Sequence, residues 1–159
     1  MNFFTSDLHL GHRSIVKYRP EFASMEDHDR AILEKISQLK KRDILFVLGD
    51  FIFPGPNYDK YIQAMVKMPG RIKVIMGNHD SLDLYRAPPK FEIQLPLFVY
   101  KGNWVSHAPI HPDELRDRTL NIHGHIHGTE LPDQRYFNVN FDVRGHDFVP
   151  FEQILERTP

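Results

Sequence analysis

Residues 44–50, Ile-Leu-Phe-Val-Leu-Gly-Asp, run five apolar side chains together and stop abruptly at a glycine and an acid. An amphipathic helix leaves polar gaps every third or fourth residue, and a half-exposed strand alternates. A short unbroken apolar run is the signature of a strand covered on both faces, as in a parallel sheet. The surroundings agree. Upstream, Ser24 followed by Glu26 and Asp27 reads as a helix start, and Ile32, Ile36 and Leu39 keep helical spacing behind it. Downstream, Asn57 is placed to cap a second helix carrying Tyr58, Tyr61, Ile62, Met65 and Met68, which Pro69-Gly70 ends. Phe3–Ser6 and Ile72–Met76 are two further strands. Strand, helix, strand, helix, strand is the order of parallel β-α-β units.

The second half is patterned differently. Phe91–Leu95, Leu97–Tyr100, Trp104–Ser106, Leu120–His123 and Tyr136–Val139 are short strand candidates with little helix between them, and Phe151–Arg157 reads as a final helix. A second, more antiparallel sheet packed on the first is expected. The fold class is therefore α/β, two packed mixed sheets flanked by helices, as one domain over residues 1–159.

Composition narrows the function. Lys and Arg total 20 and Asp and Glu 21, a net charge of −1, so no overall basic surface is available to wrap nucleic acid. The absence of cysteine removes disulfides, thiolate metal sites and cysteine nucleophiles together. The start, MNFFTSDLHLGH, lacks the basic and apolar regions of a secretory signal, and no apolar run approaches membrane-spanning length. A cytoplasmic protein with no membrane partner is expected. The ten histidines are the unusual count.

The polar residues collect at strand ends. The three strands of the first half run out at Asp7, Asp50 and Asn78, where an open α/β sheet keeps its ligand crevice. If Asp7-Leu8-His9 is extended, its acid and imidazole share a side. The same parity applied to residues 119–130, TLNIHGHIHGTE, would turn His123, His125 and His127 one way, with Gly124 and Gly128 allowing sharp turns. Histidine with carboxylate suits first-row metals rather than calcium. Taken singly, each fragment also reads as a turn, a helix cap or a solvated hairpin. Five such fragments in order on one short chain are what point to a site.

In that order they resemble the calcineurin-like metallophosphoesterase superfamily, whose pattern is D-x-H, G-D, G-N-H-[D/E], an isolated H, and G-H-x-H. Here these are Asp7-Leu8-His9, Gly49-Asp50, Gly77-Asn78-His79-Asp80, His107 and Gly124-His125-Ile126-His127. The resemblance implies a four-layer αββα sandwich and two divalent transition-metal ions, manganese first, with iron, zinc or nickel as alternatives. One ion would be held by Asp7, His9, Asp50 and His127, the other by Asp50, Asn78, His107 and His125. His79, steadied by Asp80, would protonate the leaving group, and His123 falls outside the pattern. Two ions about 3.5–4 Å apart suit in-line displacement at phosphorus and need no protein nucleophile.

The superfamily's Ser/Thr protein phosphatases carry Asp-Arg-Gly after the Gly-Asp motif, where this chain has Phe51-Ile52-Phe53-Pro54. Its double-strand-break nucleases are longer. The chain looks more like the small bacterial, archaeal or phage members. The expected activity is metal-dependent hydrolysis of a phosphodiester or phosphomonoester, the diester favoured, with a small phosphoester, nucleotide or nucleic acid as substrate. His12 and Arg13 would stand beside the metals and contact a phosphate. Two other readings are a protein-binding scaffold of the same fold and a nuclease acting on DNA or RNA ends. The nuclease would need a basic track, for which Arg13, Lys17, Arg19, Arg116 and Arg118 are candidates.

Overall fold

The central strand lies where its pattern puts it. In the computed structural model, which describes residues 1–156, β2 (Ile44–Leu48) is the middle of five strands, flanked in parallel by β1 (Asn2–Thr5) and β3 (Arg71–Ile75). Thr5 pairs with Val47 and Val47 with Val74, so the three strands end level with one another. β4 (Phe91–Ile93) extends this sheet in parallel beyond β3, and β9 (Val149–Pro150) closes the other edge antiparallel to β1.

Both faces of β2 are covered, by different partners. Leu45 and Val47 pack with Ile32 and Ile36 of α1 (Met25–Ser37) and with Tyr61, Ile62 and Met65 of α2 (Tyr58–Val66). Phe46 and Leu48, on the opposite face by strand alternation, pack with Val105, Ile122 and Phe137 of the second sheet and with Val139 just past it. Ser24 caps α1 as expected, its Oγ accepting from Asp27 N at 3.1 Å. Asn57 precedes α2 but makes no side-chain cap bond.

The second sheet runs β5 (Leu97–Tyr100), β6 (Asn103–Ser106), β7 (Asn121–His123), β8 (Tyr136–Asn138). Only β5–β6 is antiparallel; β6–β7 and β7–β8 are parallel. The expectation of a more antiparallel sheet is corrected here, for a clear reason. Parallel neighbours need a long crossover, which residues 107–120 and 124–135 provide, mostly without regular periodicity that a sequence reading could use. The first crossover contains the short helix α3 (Pro112–Leu115). Phe91–Ile93 also joins the first sheet and not the second. The final helix, α4, spans Phe151–Leu155, and the Arg157 end expected for it lies outside the described residues. The result is α/β, two mixed sheets flanked by helices, with the ends of β1, β2 and β3 opening on one edge.

Candidate metal centre

The loops leaving β1 and β2 are zipped together before they reach the site. Asp7 N donates to Gly49 O at 3.0 Å, His9 N to Asp50 O at 2.9 Å and Leu10 N to Phe51 O at 3.0 Å. Leu8 and Leu10 are buried in the core on the helix side of the sheet and anchor the segment. Its backbone is not extended: φ is 56° at Asp7 and 50° at His9. Asp50, His125 and His127 are also left-handed, at 52°, 70° and 45°. The parity argument from extended backbone is therefore corrected for both histidine-bearing segments. Non-glycine residues pay for this conformation in strain and hold it only where surroundings over-determine it, commonly at functional sites. Five of the eight such residues among those described are here.

Two glycines make the close approach possible. Gly49 has φ +90°, and a Cβ there would overlap the His107 ring and the Gly77 backbone. A Cβ on Gly124 would overlap Ser6 Oγ and Asp7 Oδ2. Gly124 thus serves contact, not a turn, and Gly128 has nothing close to a Cβ position.

All seven residues expected as ligands come together. Ligand atoms of Asp7, His9 and His127 lie within 4.8 Å of one another, and so do those of Asp7, Asp50 and His107. Asn78 Oδ1 and His125 Nδ1 stand 3.0 and 3.2 Å from His107 Nε2. Asp50 Oδ2 is 3.8 Å from His9 Nε2 and 3.7 Å from His107 Nε2, and Asp7 Oδ1 is 3.9 Å from His127 Nε2. The three carboxylate–imidazole spacings are too long for hydrogen bonds and fit pairs of ligands each about 2 Å from a shared ion. The remaining polar atoms orient the set. His107 Nδ1 donates to Leu48 O at 2.7 Å, which leaves Nε2 facing Asp50. His125 N donates to Asp7 Oδ2 at 2.9 Å and His79 N to Asp50 Oδ1 at 2.9 Å. Asp7 Oδ1 and His9 Nδ1 are buried without a hydrogen-bond partner. Burial, reinforced by the Arg19 charge, brings the His9 imidazole down to about 2, so it stays neutral, the ligand form. The donor set fits divalent transition-metal ions.

Asp80 has a different task from the one expected. Its carboxylate accepts from Asp50 N and Gly77 N at 2.8 Å each, from Phe51 N at 2.8 Å and from Ile52 N at 3.2 Å. It ties the loops after β2 and β3 together and does not steady the His79 ring. That ring instead stacks on Phe53, centroids 5.8 Å apart, and meets His9 edge-on at 5.6 Å. His79, His9, His12 and His127 line one cleft of about 480 Å³ with Ile15, Tyr18, Arg19, Gly128 and Asp142. Arg13 is exposed and lines a neighbouring depression with Gly11 and residues 53–56. His123 is fully buried, Nδ1 bonding Gly124 O at 3.0 Å, and its ring meets Tyr136 of β8 edge-on at 5.9 Å.

A buried polar chain lies behind the site. Arg19, 2% exposed, donates to Asp142 Oδ1 at 2.5 Å, to Asp7 O at 2.6 Å and to Leu8 O at 3.2 Å, and meets His28 Nε2 at 2.6 Å. His28 Nδ1 reaches Asp29 Oδ1 at 2.8 Å, whose Oδ2 accepts from Gly11 N and the Tyr61 hydroxyl. One signal existed: His28 precedes Ile32 and Ile36 by four and eight residues, a polar side chain on the apolar stripe of α1. Arg19 and Asp142 carried none.

Residues 3–157 match the sequence pattern of the family described as Calcineurin-like phosphoesterase. The chain belongs to this family. It is 28% identical to the gene 66 protein of Mycobacterium phage D29 over 97% of this chain and 94% of that one. A stretch of 51 residues, 32% of this chain and 19% of the other, is 35% identical to a symmetrical bis(5'-nucleosyl)-tetraphosphatase of Buchnera aphidicola. Among solved structures, a protein of unknown function from Aquifex aeolicus superposes with a TM-score of 0.74 at 25% identity, covering 98% of both chains. The calcineurin-like phosphoesterase is thus a phosphoester hydrolase by family. No described helix is long and apolar enough to cross a membrane.

Proposed function

We propose that this phosphoesterase hydrolyses phosphodiesters at a two-ion centre, as one domain working in the cytoplasm, with manganese as its metal. The observation that carries the reading is the station of Asp50. One buried carboxylate oxygen is nearly equidistant from His9 Nε2 and His107 Nε2, at 3.8 and 3.7 Å, which suits a carboxylate shared between two ions. Asp7, His9 and His127 would complete one ion's ligands; Asn78, His107 and His125 the other's. Bound there, divalent ions supply Lewis acidity at phosphorus and a water ionised near neutral pH.

The chain's own groups do the rest. His79 lies along the cleft beside this set, with its backbone bonded to Asp50 and its ring against Phe53, so it is positioned to donate a proton to a departing oxygen. An alkoxide leaving group needs that proton, which favours diesters. Asp80 supports the chemistry by fixing the backbone that carries Asp50 and His79. His12 borders the cleft and is the better placed phosphate contact of the pair His12 and Arg13. A nuclease would need a basic track, and Arg19 does not serve one, being buried on Asp142 and Asp7 O.

The test is a panel of aryl phosphodiester, aryl phosphomonoester, cyclic nucleotide and single-stranded DNA with the manganese-loaded protein. Titration calorimetry should count two ions per chain. Chelation should abolish turnover and added metal restore it; full activity without metal would overturn the mechanism.

A further inference from the structure

The mouth of the cleft carries an aromatic side chain that is not needed to hold metal or to move a proton. The 3₁₀ turn Ile15–Lys17 seats its buried Ile15 beneath the cleft and delivers Tyr18 to the mouth, where the side chain is 75% exposed. From there aromatic rings follow one another inward. Tyr18 meets His12 edge-on with centroids 6.1 Å apart, His12 meets Phe53 edge-on at 4.5 Å, and Phe53 stacks on His79 at 5.8 Å. The row begins in solvent and ends at the ring assigned above as the proton donor.

We propose that this row is a nucleoside subsite: the substrate is a nucleotide phosphodiester, and Tyr18 is the platform on which its base stacks. The inference rests on the phosphodiesterase reading and names its substrate class. A cleft of about 480 Å³ is in the range of small-ligand sites and has room for a nucleoside beside the phosphate. Of this row Tyr18, His12 and His79 line the cleft, with Phe53 packed against the two imidazoles, and the cleft's single aliphatic side chain, Ile15, is 3% exposed. An alkyl or lipid arm would be served by exposed aliphatic side chains, whereas flat faces attract a base of any identity. An aromatic left three-quarters in water contributes little to folding, so its position at the mouth is free to serve binding.

The experiment uses the manganese-loaded protein, Tyr18→Ala and Tyr18→Phe with two esters of equal leaving group, thymidine 5'-(4-nitrophenyl phosphate) and methyl 4-nitrophenyl phosphate. Tyr18→Ala should raise KM for the thymidine ester roughly tenfold more than for the methyl ester, with kcat little changed, and Tyr18→Phe should restore the ratio because the ring and not the hydroxyl stacks. Equal effects on the two esters, or a Tyr18→Phe loss as large as that of Tyr18→Ala, would overturn the subsite. Calorimetry with adenosine 5'-monophosphate separates this outcome from failure of the phosphodiesterase reading. If neither ester is hydrolysed, a roughly tenfold weaker Kd in Tyr18→Ala still supports the platform, and an unchanged Kd overturns it.

Discussion

Asp142 Oδ2 stands 3.1 Å from His127 Nδ1. The pair is the outer end of the buried chain, because the other oxygen of Asp142 accepts from Arg19, which also holds the carbonyl of Asp7. Burial alone would raise the Asp142 carboxyl; the bond from His127 and the Arg19 charge outweigh it and bring the group down to about 2. A carboxylate on Nδ1 fixes the tautomer and leaves Nε2, 3.9 Å from Asp7 Oδ1, as the free ligand atom. Asp142→Asn should weaken one of two manganese ions about 10–100-fold and spare the other. Calorimetry reads this directly, and uniform weakening of both ions would show that Asp142 merely supports the fold.

Asp80 and His79 are adjacent in sequence and should fail in different ways. Asp80→Asn turns amide hydrogens toward backbone donors that had a carboxylate, so part of a four-bond cluster is lost. Each unsatisfied buried donor costs about 1–3 kcal/mol, and metal affinity should fall together with Tm. His79→Asn should leave both nearly unchanged. A normal Tm in Asp80→Asn with only turnover affected would return Asp80 to the role of steadying His79.

His79→Asn is also expected to discriminate between leaving groups. A positioned acid contributes roughly 10²–10⁴-fold where the leaving oxygen needs a proton. The variant should therefore retain much more kcat/KM on a nitrophenyl ester than on a nucleotide diester with an alkoxide leaving group. Metal content is checked on the same samples. Equal losses on both esters would mean that His79 positions the phosphate and donates no proton.

His123 stands apart from His125 and His127, and its burial governs its own titration. Its Nδ1 serves the Gly124 carbonyl, and its buried Nε2 has no partner to accept a proton's charge. Burial accordingly lowers its pKa to about 4. The unfolded chain binds this proton near the ordinary value of about 6.5, so stability present above that pH is lost as the pH falls from about 6.5 toward 4. At about 1.4 kcal/mol per unit, the contribution is on the order of 3–4 kcal/mol. Urea unfolding of metal-free protein should show a shallower pH dependence in His123→Gln over that window. In activity, His123→Ala should be milder than His125→Ala or His127→Ala, which should nearly abolish turnover. An unchanged pH slope would mean that His123 is protonated in the fold.

Much of this was legible in the chain because its causes are local. Five apolar residues at 44–48 require two covering layers, and Ser24 or Pro69-Gly70 act within a turn of where they stand. The motif fragments marked the site for the same reason: Asp7, Asp50 and Asn78 come just past the ends of strands whose length is written in their hydrophobicity. The left-handed φ values at Asp7, His9, Asp50, His125 and His127 were not legible: Asp and His enter that region more readily than most residues, but no local pattern fixes which of them do. They exist because the β1 and β2 loops are hydrogen-bonded together and Gly49 and Gly124 admit close neighbours.

Residue order alone determined the α/β class, the covered central strand and which side chains gather at the strand ends, since apolar periodicity and turn chemistry act over a few residues. The tertiary structure decided what those side chains do to one another. It set Asp80 on four backbone amides, buried Arg19 between Asp142 and Asp7, brought β4 into the first sheet and made β6, β7 and β8 parallel. Apart from the Asp80 bond to Gly77 N, those pairings join residues far apart in the chain, and such contacts are chosen by packing and hydrogen-bond satisfaction across the whole core, which no local pattern encodes.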